Sequence, residues 1–299
     1  MKFSVITDVL GTDSFEEALR IAKQLGFEYI DIRAKLDGSR LDMISLEQAA
    51  DLKRKVDANG LKVSALTSWA INPCSFSGPP TYDNYDESFH IEMLAKLEHL
   101  SQLANVFNTQ YLRTYSLSKP EGFDRLSDED KEIHYQHNAK IMRRHAETAA
   151  KYNKILIIEN EPPTLTGSAK ELGIMIKLVN HPNLKVNWDI VNEWIGGGYA
   201  SVDAYEHIKG HVDQVHLKGG FGKPDSADES HPYGKFLKVG IPGKDDFNHA
   251  AIMKEIVKHD PQVMMTFDPH YSSLDAADQL GEVEVIRQSK QFIESIFKA

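Results

Sequence analysis

The chain has 299 residues, of which 41% are hydrophobic and 26% are charged, as in an ordinary globular protein that can bury a large core. No segment approaches the roughly 18 consecutive apolar residues of a membrane span, and the run Phe3 to Ile6 is too short for a signal-peptide core, so we expect a cytoplasmic protein. The net charge of -10 opposes a phosphate backbone and predicts a small-molecule ligand, with no nucleic acid or membrane partner.

Short apolar segments alternate with longer helical patterns along the whole chain. In the first helical pattern, Ser14 and Glu17 are spaced as a capping box, and Gly26 marks its end. The predicted strands are Lys2 to Thr7, Tyr29 to Arg33, Lys62 to Thr67, Thr109 to Tyr115, Ile155 to Glu159, Lys185 to Asp189, Gln214 to Lys218 and Val263 to Asp268. Strands that alternate with helices predict a parallel sheet. Eight of them predict an α/β fold, the (β/α)8 TIM barrel, formed by residues 1–299 as a single domain.

The connecting segments differ in length between the two ends of the predicted barrel. Helix-to-strand links are short, such as NGLK and HPNLK. The segments after the third and seventh strands are much longer, SWAINPCSFSGPPTYDNYDESF and GGFGKPDSADESHPYGKFLKVGIPGK. Strand-to-helix loops surround the active site in this architecture, so these two loops predict a covered small-molecule pocket, with ordinary surface insertions as the alternative. The single cysteine, Cys74, lies in the first of them and is predicted to be unreactive, because no base neighbours it.

Glu159 is a carboxylate at the end of an otherwise apolar strand, in the stretch KILIIENEPP. Because side chains alternate along a strand, Ile155, Ile157 and Glu159 share one face. Glu159 is therefore predicted to point into the barrel mouth. A buried carboxylate is costly unless it is paired, hydrogen-bonded or bound to a metal.

Three later strands also end in polar residues, namely Asp189, His216 with Lys218 after it, and Asp268. Each of them alone is as well explained by structural hydrogen bonding. Together with Glu159 they place three carboxylates and one imidazole on four adjacent strands. That donor set suits a divalent ion such as Mn, Mg, Co or Zn. We therefore predict one divalent ion bound by Glu159, Asp189, His216 and Asp268.

Other polar residues in the same inward register are candidates for contacts with a substrate. Arg113 and Arg33 could bind substrate oxygens or pair with a barrel carboxylate such as Asp31. Lys218 is predicted to contact a substrate oxygen. His270, two residues beyond the last strand, is predicted to bind substrate or to orient a ligand side chain.

Two tryptophans receive different predictions. Trp69 lies in the loop after the third strand, where it offers either a stacking surface for a sugar or part of the loop core. Trp188 lies between two inward-facing residues, so it should face outward and pack against helices.

Four segments together resemble the xylose isomerase-like superfamily of TIM barrels, which includes sugar phosphate isomerases and epimerases. They are LIIENEP at the fifth strand, NWDIVN at the sixth, VHLKG at the seventh, and VGIPGKDDFNHAAIMKEI before the last helix. The resemblance covers nearly the whole chain, and the order and spacing of the segments make it specific. It implies that Glu159, Asp189, His216 and Asp268 occupy the four metal-ligand positions of the family.

The resemblance also implies roles at other positions. Glu161 stands where the family commonly has His, which implies a substrate contact or a support for a ligand; a solvated loop carboxylate is the alternative. Asn192 is implied as a further substrate contact. Asp268 replaces the usual Glu, and Gly219 stands where the family often has Asp. The endonuclease IV-type repair enzymes use additional His ligands that DIRA and LTSW lack here, so DNA repair is disfavoured.

The leading functional hypothesis is a metal-dependent sugar isomerase or epimerase of carbohydrate metabolism, acting on a small sugar, sugar phosphate or polyol. Glu159 would remove the proton α to a metal-bound carbonyl, and Asp268 would be the partner acid. A dehydratase of the inosose or dehydroshikimate type on the same site is the first alternative, and a sugar-binding barrel without catalysis is the second. The substrate, the native metal and the oligomeric state, a homo-oligomer included, are left open.

Overall fold

A closed barrel of eight parallel strands forms the centre of the molecule. The computed structural model describes residues 1–33, 35–68, 87–196, 198–222, 236–269 and 280–298. The strands are β1 (Lys2–Ile6), β2 (Tyr29–Ile32), β3 (Lys35–Leu36), β4 (Ser39–Arg40), β5 (Lys62–Leu66), β6 (Tyr111–Thr114), β7 (Ile155–Glu159), β8 (Leu184–Asp189), β9 (Val212–Leu217), β10 (Gly219–Gly222), β11 (Phe236–Gly240) and β12 (Met264–Phe267). The barrel runs β1-β2-β5-β6-β7-β8-β9-β12 and closes back on β1. The predicted (β/α)8 TIM barrel is therefore confirmed.

The remaining strands form two short antiparallel hairpins, β3 with β4 and β10 with β11. The sequence did not predict them, because segments this short show too little alternation to be recognised. The second hairpin follows β9 directly and lies within the long loop predicted after the seventh barrel strand. Among the barrel strands, the largest difference from prediction is at the beginnings of β6 and β9, where Tyr111 and Val212 replace the predicted Thr109 and Gln214.

The described helices lie outside the barrel between successive strands. They are α1 (Phe15–Gln24), α2 (Leu46–Ala58), α3 (Glu87–Phe107), α4 (Asp128–Lys151), α5 (Ala169–Val179), α6 (Ile190–Ile195), α7 (Val202–Tyr205), α8 (His249–His259) and α9 (Glu282–Ile296), with 3-10 turns at Thr7–Val9, Leu41–Met43 and Phe123–Arg125. Ser14 caps α1 by accepting from the Glu17 backbone N–H, while the Glu17 carboxylate accepts from Arg20. None of these helices combines the length and apolar character needed to cross a membrane.

Trp188 shows how the outer face of the barrel packs. The side chain is fully buried, its ring lies 6.3 Å from the ring of Tyr205 in α7, and its Nε1 donates to Glu193 in α6 at 3.1 Å. The predicted outward orientation of Trp188 against the helices is confirmed. Its neighbours along β8 therefore point to the opposite side, into the barrel.

The barrel interior is polar where Asp31 lies. Its carboxylate is fully buried and accepts from Thr67 Oγ1 at 2.9 Å and from Gln214 Nε2 at 2.8 Å. Burial raises the pKa of Asp31 to about 6, even though the charge of His216 acts in the opposite direction. Asp31 is thus held by the neutral donors Thr67 and Gln214, whereas Arg33 and Arg113 pair with Asp268 and Glu159.

Two histidines, His90 of α3 and His145 of α4, stack with ring centroids 5.3 Å apart and planes 7° apart. His145 is 6% exposed, and neither of its ring nitrogens has a hydrogen-bond partner among the described residues. Burial, with the charges of His90 and Arg144, lowers the pKa of His145 to about 3. The imidazole is therefore neutral in the folded protein at pH values where an unfolded chain would protonate it.

The free energy of unfolding should consequently fall as the pH drops from about 6.5 toward 3, because His145 binds a proton in the unfolded chain and stays unprotonated in the folded protein. The expected slope from this one group is up to about 1.4 kcal/mol per pH unit. Urea unfolding at several pH values checks it, with His145→Phe as the partner variant, since Phe stacks on His90 but cannot titrate. Equal slopes for the two proteins below pH 6 would contradict the assignment.

Candidate active site

Glu159 ends β7, is 2% exposed, and has both carboxylate oxygens engaged. Oε1 accepts from Nδ1 of His216 at 2.8 Å, and Oε2 accepts from Nη1 of Arg113 at 2.9 Å. Burial alone would raise the pKa of Glu159, but the charges of His216 and Arg113 outweigh it and hold this pKa well below its usual range. The carboxylate is therefore ionised and fixed in one orientation, and Arg113 has the carboxylate-pairing role that was one of its two predicted roles.

Asp189 ends β8 and is also the N-cap of α6. Its Oδ1 accepts from the backbone N–H groups of Val191 at 2.9 Å and Asn192 at 3.0 Å. Asn160, at the end of β7, accepts from the Asp189 N–H at 2.7 Å and donates to the Asp189 carbonyl at 2.9 Å. These bonds direct the other oxygen, Oδ2, to within 2.5 Å of Nζ of Lys218.

Asp268 follows β12 and lies near three basic side chains. Its Oδ1 accepts from Nη1 of Arg33 at 2.8 Å. Its Oδ2 lies 3.1 Å from Nζ of Lys218 and 3.5 Å from Nδ1 of His216. Arg33 therefore pairs with a barrel carboxylate, which was one of the two roles predicted for it, and the carboxylate is Asp268 rather than Asp31.

Lys218 and His216 are the basic side chains at the centre of this arrangement. Burial alone would lower the pKa of each, but neighbouring carboxylates raise both pKa values above their usual ranges, chiefly Asp189 for Lys218 and Glu159 for His216. Lys218 is 3% exposed, so it is not a surface charge. The buried carboxylates are thus stabilised by equally buried basic side chains, as the cost of burying an unpaired charge requires.

The predicted ligand residues come together at one point. One ligand atom from each of Glu159, Asp189, His216 and Asp268 lies within 4.8 Å of the others, and all four residues are buried. Oδ2 of Asp189 accepts no hydrogen bond of regular geometry although it is buried. Nδ1 is the nitrogen of His216 that faces the carboxylates, at 2.8, 3.9 and 3.5 Å. Carboxylate oxygens with one imidazole nitrogen fit a divalent cation, so the residues present can hold one.

Glu161 lies beside the ligand group and does not belong to it. Its side chain is partly buried, and Oε2 accepts from Nδ2 of Asn192 at 3.2 Å. The same Asn192 nitrogen donates to the carbonyl of Asn160 at 2.9 Å. Burial, reinforced by the charge of Glu159, raises the pKa of Glu161 to about 8. Glu161 is therefore a partly buried carboxylate that Asn192 holds, and its role as a substrate contact or as a support for a ligand stays a prediction.

Three residues singled out in the sequence, Trp69, Cys74 and His270, lie outside the described residues. The same is true of residues 69–86 in the loop after β5 and of residues 223–235 in the loop after β9. Their predicted roles, a sugar-stacking surface, a substrate contact and a cover over the pocket, stay predictions.

Sequence reasoning missed several residues that shape the site. Asn160 follows the inward Glu159, and period-two alternation alone would place it on the opposite face of the strand. Asn187 shares the inward face of β8 with Asp189, so period-two alternation could have identified it.

Gly219, which stands where the resemblance would place Asp, has a packing reason to be glycine. A Cβ there would lie 2.5 Å from the carbonyl oxygen of Gly240 across the β10–β11 hairpin. An aspartate, which the resemblance would place there, does not fit this hairpin.

Known proteins share this fold and, in one case, detectable sequence. The chain is 26% identical over 208 residues to a 3-dehydroshikimate dehydratase of Bacillus anthracis, a match that spans 69% of this chain and 66% of that protein. Just under two thirds of the relative is therefore aligned.

Two solved structures superpose over most of the chain. The D-psicose 3-epimerase of Clostridium cellulolyticum H10, in complex with D-tagatose, superposes with a TM-score of 0.73 at 16% identity over 99% of each chain. A xylose isomerase-like TIM barrel protein of Mycobacterium smegmatis, in complex with magnesium, superposes with a TM-score of 0.67 at 16% identity over 94% of this chain and 87% of that one. At these identities the superpositions show a shared fold alone.

A family model settles the relationship. The model of the xylose isomerase-like TIM barrel matches residues 19–296. The match includes seven of the eight barrel strands and all four residues of the ligand group. This chain therefore belongs to the xylose isomerase-like TIM barrel family.

Proposed function

We propose that this chain is a divalent-metal-dependent enzyme that removes the proton next to the carbonyl group of a small polyhydroxylated substrate. The observation that carries the proposal is the buried group of Glu159, Asp189, His216 and Asp268, with ligand atoms within 4.8 Å of one another. When bound there, a divalent ion supplies positive charge that polarises a carbonyl and makes the adjacent C–H bond acidic.

Glu159 is our candidate for the base that takes the proton. Its ion pair with Arg113, at 2.9 Å, favours the ionised form that a base needs and fixes the orientation of the carboxylate. Lys218 is the candidate for binding a substrate oxygen, because its ammonium group lies among the ligand atoms, close to Asp189 and Asp268. An ammonium group at that position can donate to a carbonyl or hydroxyl oxygen held in the mouth of the barrel.

Dehydration of a β-hydroxy carbonyl compound is the first candidate reaction. The Cα–H and Cβ–O bonds break, a carbon–carbon double bond forms, and the hydroxyl leaves with a proton as water. Dehydration needs only one base, which removes the proton from Cα. Asp268 has Arg33 on one oxygen and Lys218 on the other, which favours a ligand role for it over that of a free acid on the opposite face. The relative from Bacillus anthracis, a 3-dehydroshikimate dehydratase, supports the same choice.

Isomerisation or epimerisation of a ketose is the second candidate. It requires an acid that returns a proton to carbon, and Glu161 supplies a second carboxylate beside the ligand group, held by Asn192. Asp268, the partner acid suggested by the sequence, is the less suitable of the two because both its oxygens face cations. The same first step, loss of the α proton, precedes either outcome.

The test is a reaction in heavy water with the protein loaded in turn with Mg, Mn, Co and Zn. Hydroxy ketones, ketoses and oxidised cyclitols are offered as substrates. Dehydration should yield a product lighter by one water with a new conjugated chromophore, whereas epimerisation should place deuterium at the inverted carbon. Turnover that survives complete chelation of metal would contradict the metal requirement, and turnover in which every C–H bond is retained without exchange would contradict proton abstraction.

A further inference from the structure

The amide of Asn187 is buried in the barrel with one of its two polar atoms unused. Asn187 is inaccessible to solvent and pairs with Glu159 of β7 and Gln214 of β9 in the barrel register. Its Nδ2 lies 3.0 Å from Nε2 of His216. Its Oδ1 has no hydrogen-bond partner among the described residues. A buried carbonyl oxygen without a hydrogen bond lowers the stability of the fold, so we looked for a role that this atom fills.

Among the described residues, one other polar atom besides the Asn187 amide makes a hydrogen-bond contact with His216 Nε2, and that atom is not an acceptor. Nε2 of Gln214 is the other near atom, at 3.4 Å. Both of its N–H groups have partners, however, because it donates to Asp31 Oδ2 and to Thr266 Oγ1 at 2.8 Å each. An amide nitrogen does not accept hydrogen bonds. If Nε2 of His216 carries a hydrogen, Asn187 is the residue, among those described, that is placed to accept a hydrogen bond from it.

A cation bound at the ligand group requires that proton. Nδ1 of His216 faces Glu159, Asp189 and Asp268, so Nδ1 is the nitrogen that would bind. A neutral imidazole that binds through Nδ1 carries its hydrogen on Nε2, and the bond made by the second nitrogen selects this tautomer.

We propose that Asn187 supplies the hydrogen-bond acceptor that stabilises the tautomer of His216 that binds a divalent cation. The proposal rests on the metal site of the proposed function. Half a turn of the Asn187 amide exchanges Nδ2 and Oδ1 with little change of shape. Oδ1 then accepts from Nε2–H. In the orientation described, Nδ2 instead donates to an unprotonated Nε2 while Nδ1–H donates to Glu159. One side chain therefore matches either tautomer, and its unused Oδ1 is the atom that the cation-binding tautomer needs.

Three variants separate this role from a general loss of packing. Asn187→Leu keeps the approximate size of the side chain and removes the acceptor, whereas Asn187→Asp restores an acceptor for Nε2–H. Asn138→Leu is the control, because Asn138 of α4 is equally buried and its hydrogen bonds within the described part of the chain go to Leu117 and Met175, away from the ligand group. Calorimetric titration of metal-depleted protein with Mg²⁺ and Zn²⁺ gives the dissociation constants, and thermal unfolding gives the cost to the fold.

Asn187→Leu should weaken cation binding about 10- to 100-fold, the usual effect of losing the partner of a ligating histidine. Asn187→Asp should bind within a few-fold of the wild type, and Asn138→Leu should lower the melting temperature without changing the dissociation constant. Equal affinity for the wild type and the Leu variant would overturn the assignment. A wild type that binds no cation would instead reject the metal site itself, so the two failures are distinguishable.

A measurement on the unaltered protein covers the case in which the Leu variant does not fold. Nitrogen-15 spectra of the histidines in the Zn²⁺-loaded wild type should show His216 with a hydrogen on Nε2 and the cation on Nδ1. The Asn187 side-chain amide signals should shift on loading, while those of Asn138 should not. Observation of Zn²⁺ on Nε2, or of unchanged Asn187 signals, would be incompatible with the proposal.

Discussion

A protein that carries Asp189→Asn and His216→Gln should fail to bind a divalent cation under conditions where the wild type binds one per chain. Both residues contribute ligand atoms to the buried group. Loss of a supporting residue alone costs about 10- to 100-fold in affinity, so loss of two ligands should cost more than about a hundredfold. Asn at position 189 can still cap α6, which protects the fold. Elemental analysis and calorimetric titration measure the loss.

A second pair of substitutions tests whether altering any buried carboxylate–imidazole pair would reduce the metal content. Asp245 and His249 form a carboxylate–imidazole pair at 2.8 Å outside the ligand group, with both side chains inaccessible. Asp245→Asn with His249→Gln makes the same two chemical changes there and should leave the metal content intact. If the Asp189 and His216 variant retains its metal, the ligand assignment is wrong.

Glu159→Gln should reduce turnover by about 100- to 10,000-fold, the range associated with loss of a general base. Gln cannot take up a proton at neutral pH, but its carbonyl can still accept from Arg113, so the buried guanidinium keeps a partner. Affinity for the cation should fall as well, because Glu159 belongs to the ligand group. Turnover is therefore measured at metal concentrations that saturate the variant, and solvent deuterium incorporation is measured beside it.

Glu161→Gln is the matched variant, since Glu161 lies beside the ligand group and contributes no atom to it. It should bind metal like the wild type. If Glu159 is the base, deuterium exchange should persist in this variant and disappear in Glu159→Gln. Full exchange in Glu159→Gln at saturating metal, with none in Glu161→Gln, would transfer the role of base to Glu161.

Much of this site could be predicted because its residues stand at the ends of strands. In a parallel barrel, all carboxyl ends of the strands meet at one mouth, so residues such as Glu159 and His216 converge whatever the intervening sequence. The predicted ligand group depended only on recognising four strands and their alternation, which are local features. Helical caps are local as well, and the Ser14 cap of α1 was predicted for the same reason.

The partners of the charged side chains could not be predicted in this way. Arg33 was expected to bind substrate or to pair with a carboxylate such as Asp31, but it pairs with Asp268, 235 residues away. Which of two buried carboxylates lies within reach depends on how β1 closes against β12 and on the length of each side chain. Alternation indicates the face on which a residue lies and carries no information about distances across the barrel.

The sequence by itself determined the barrel, the order of its strands, and the convergence of Glu159, Asp189, His216 and Asp268, because these follow from local periodicity and from the geometry that parallel strands share. Only the tertiary structure decided which basic side chains balance the negative charge of the three carboxylates. It placed Arg113 on Glu159 and Lys218 between Asp189 and Asp268, and it left Oδ1 of Asn187, beside His216, without a partner among the described residues. The physical reason is that a hydrogen bond or an ion pair forms only when the distance between its two atoms is right to within a few tenths of an ångström. For residues far apart in the chain, that distance is set by the tertiary structure.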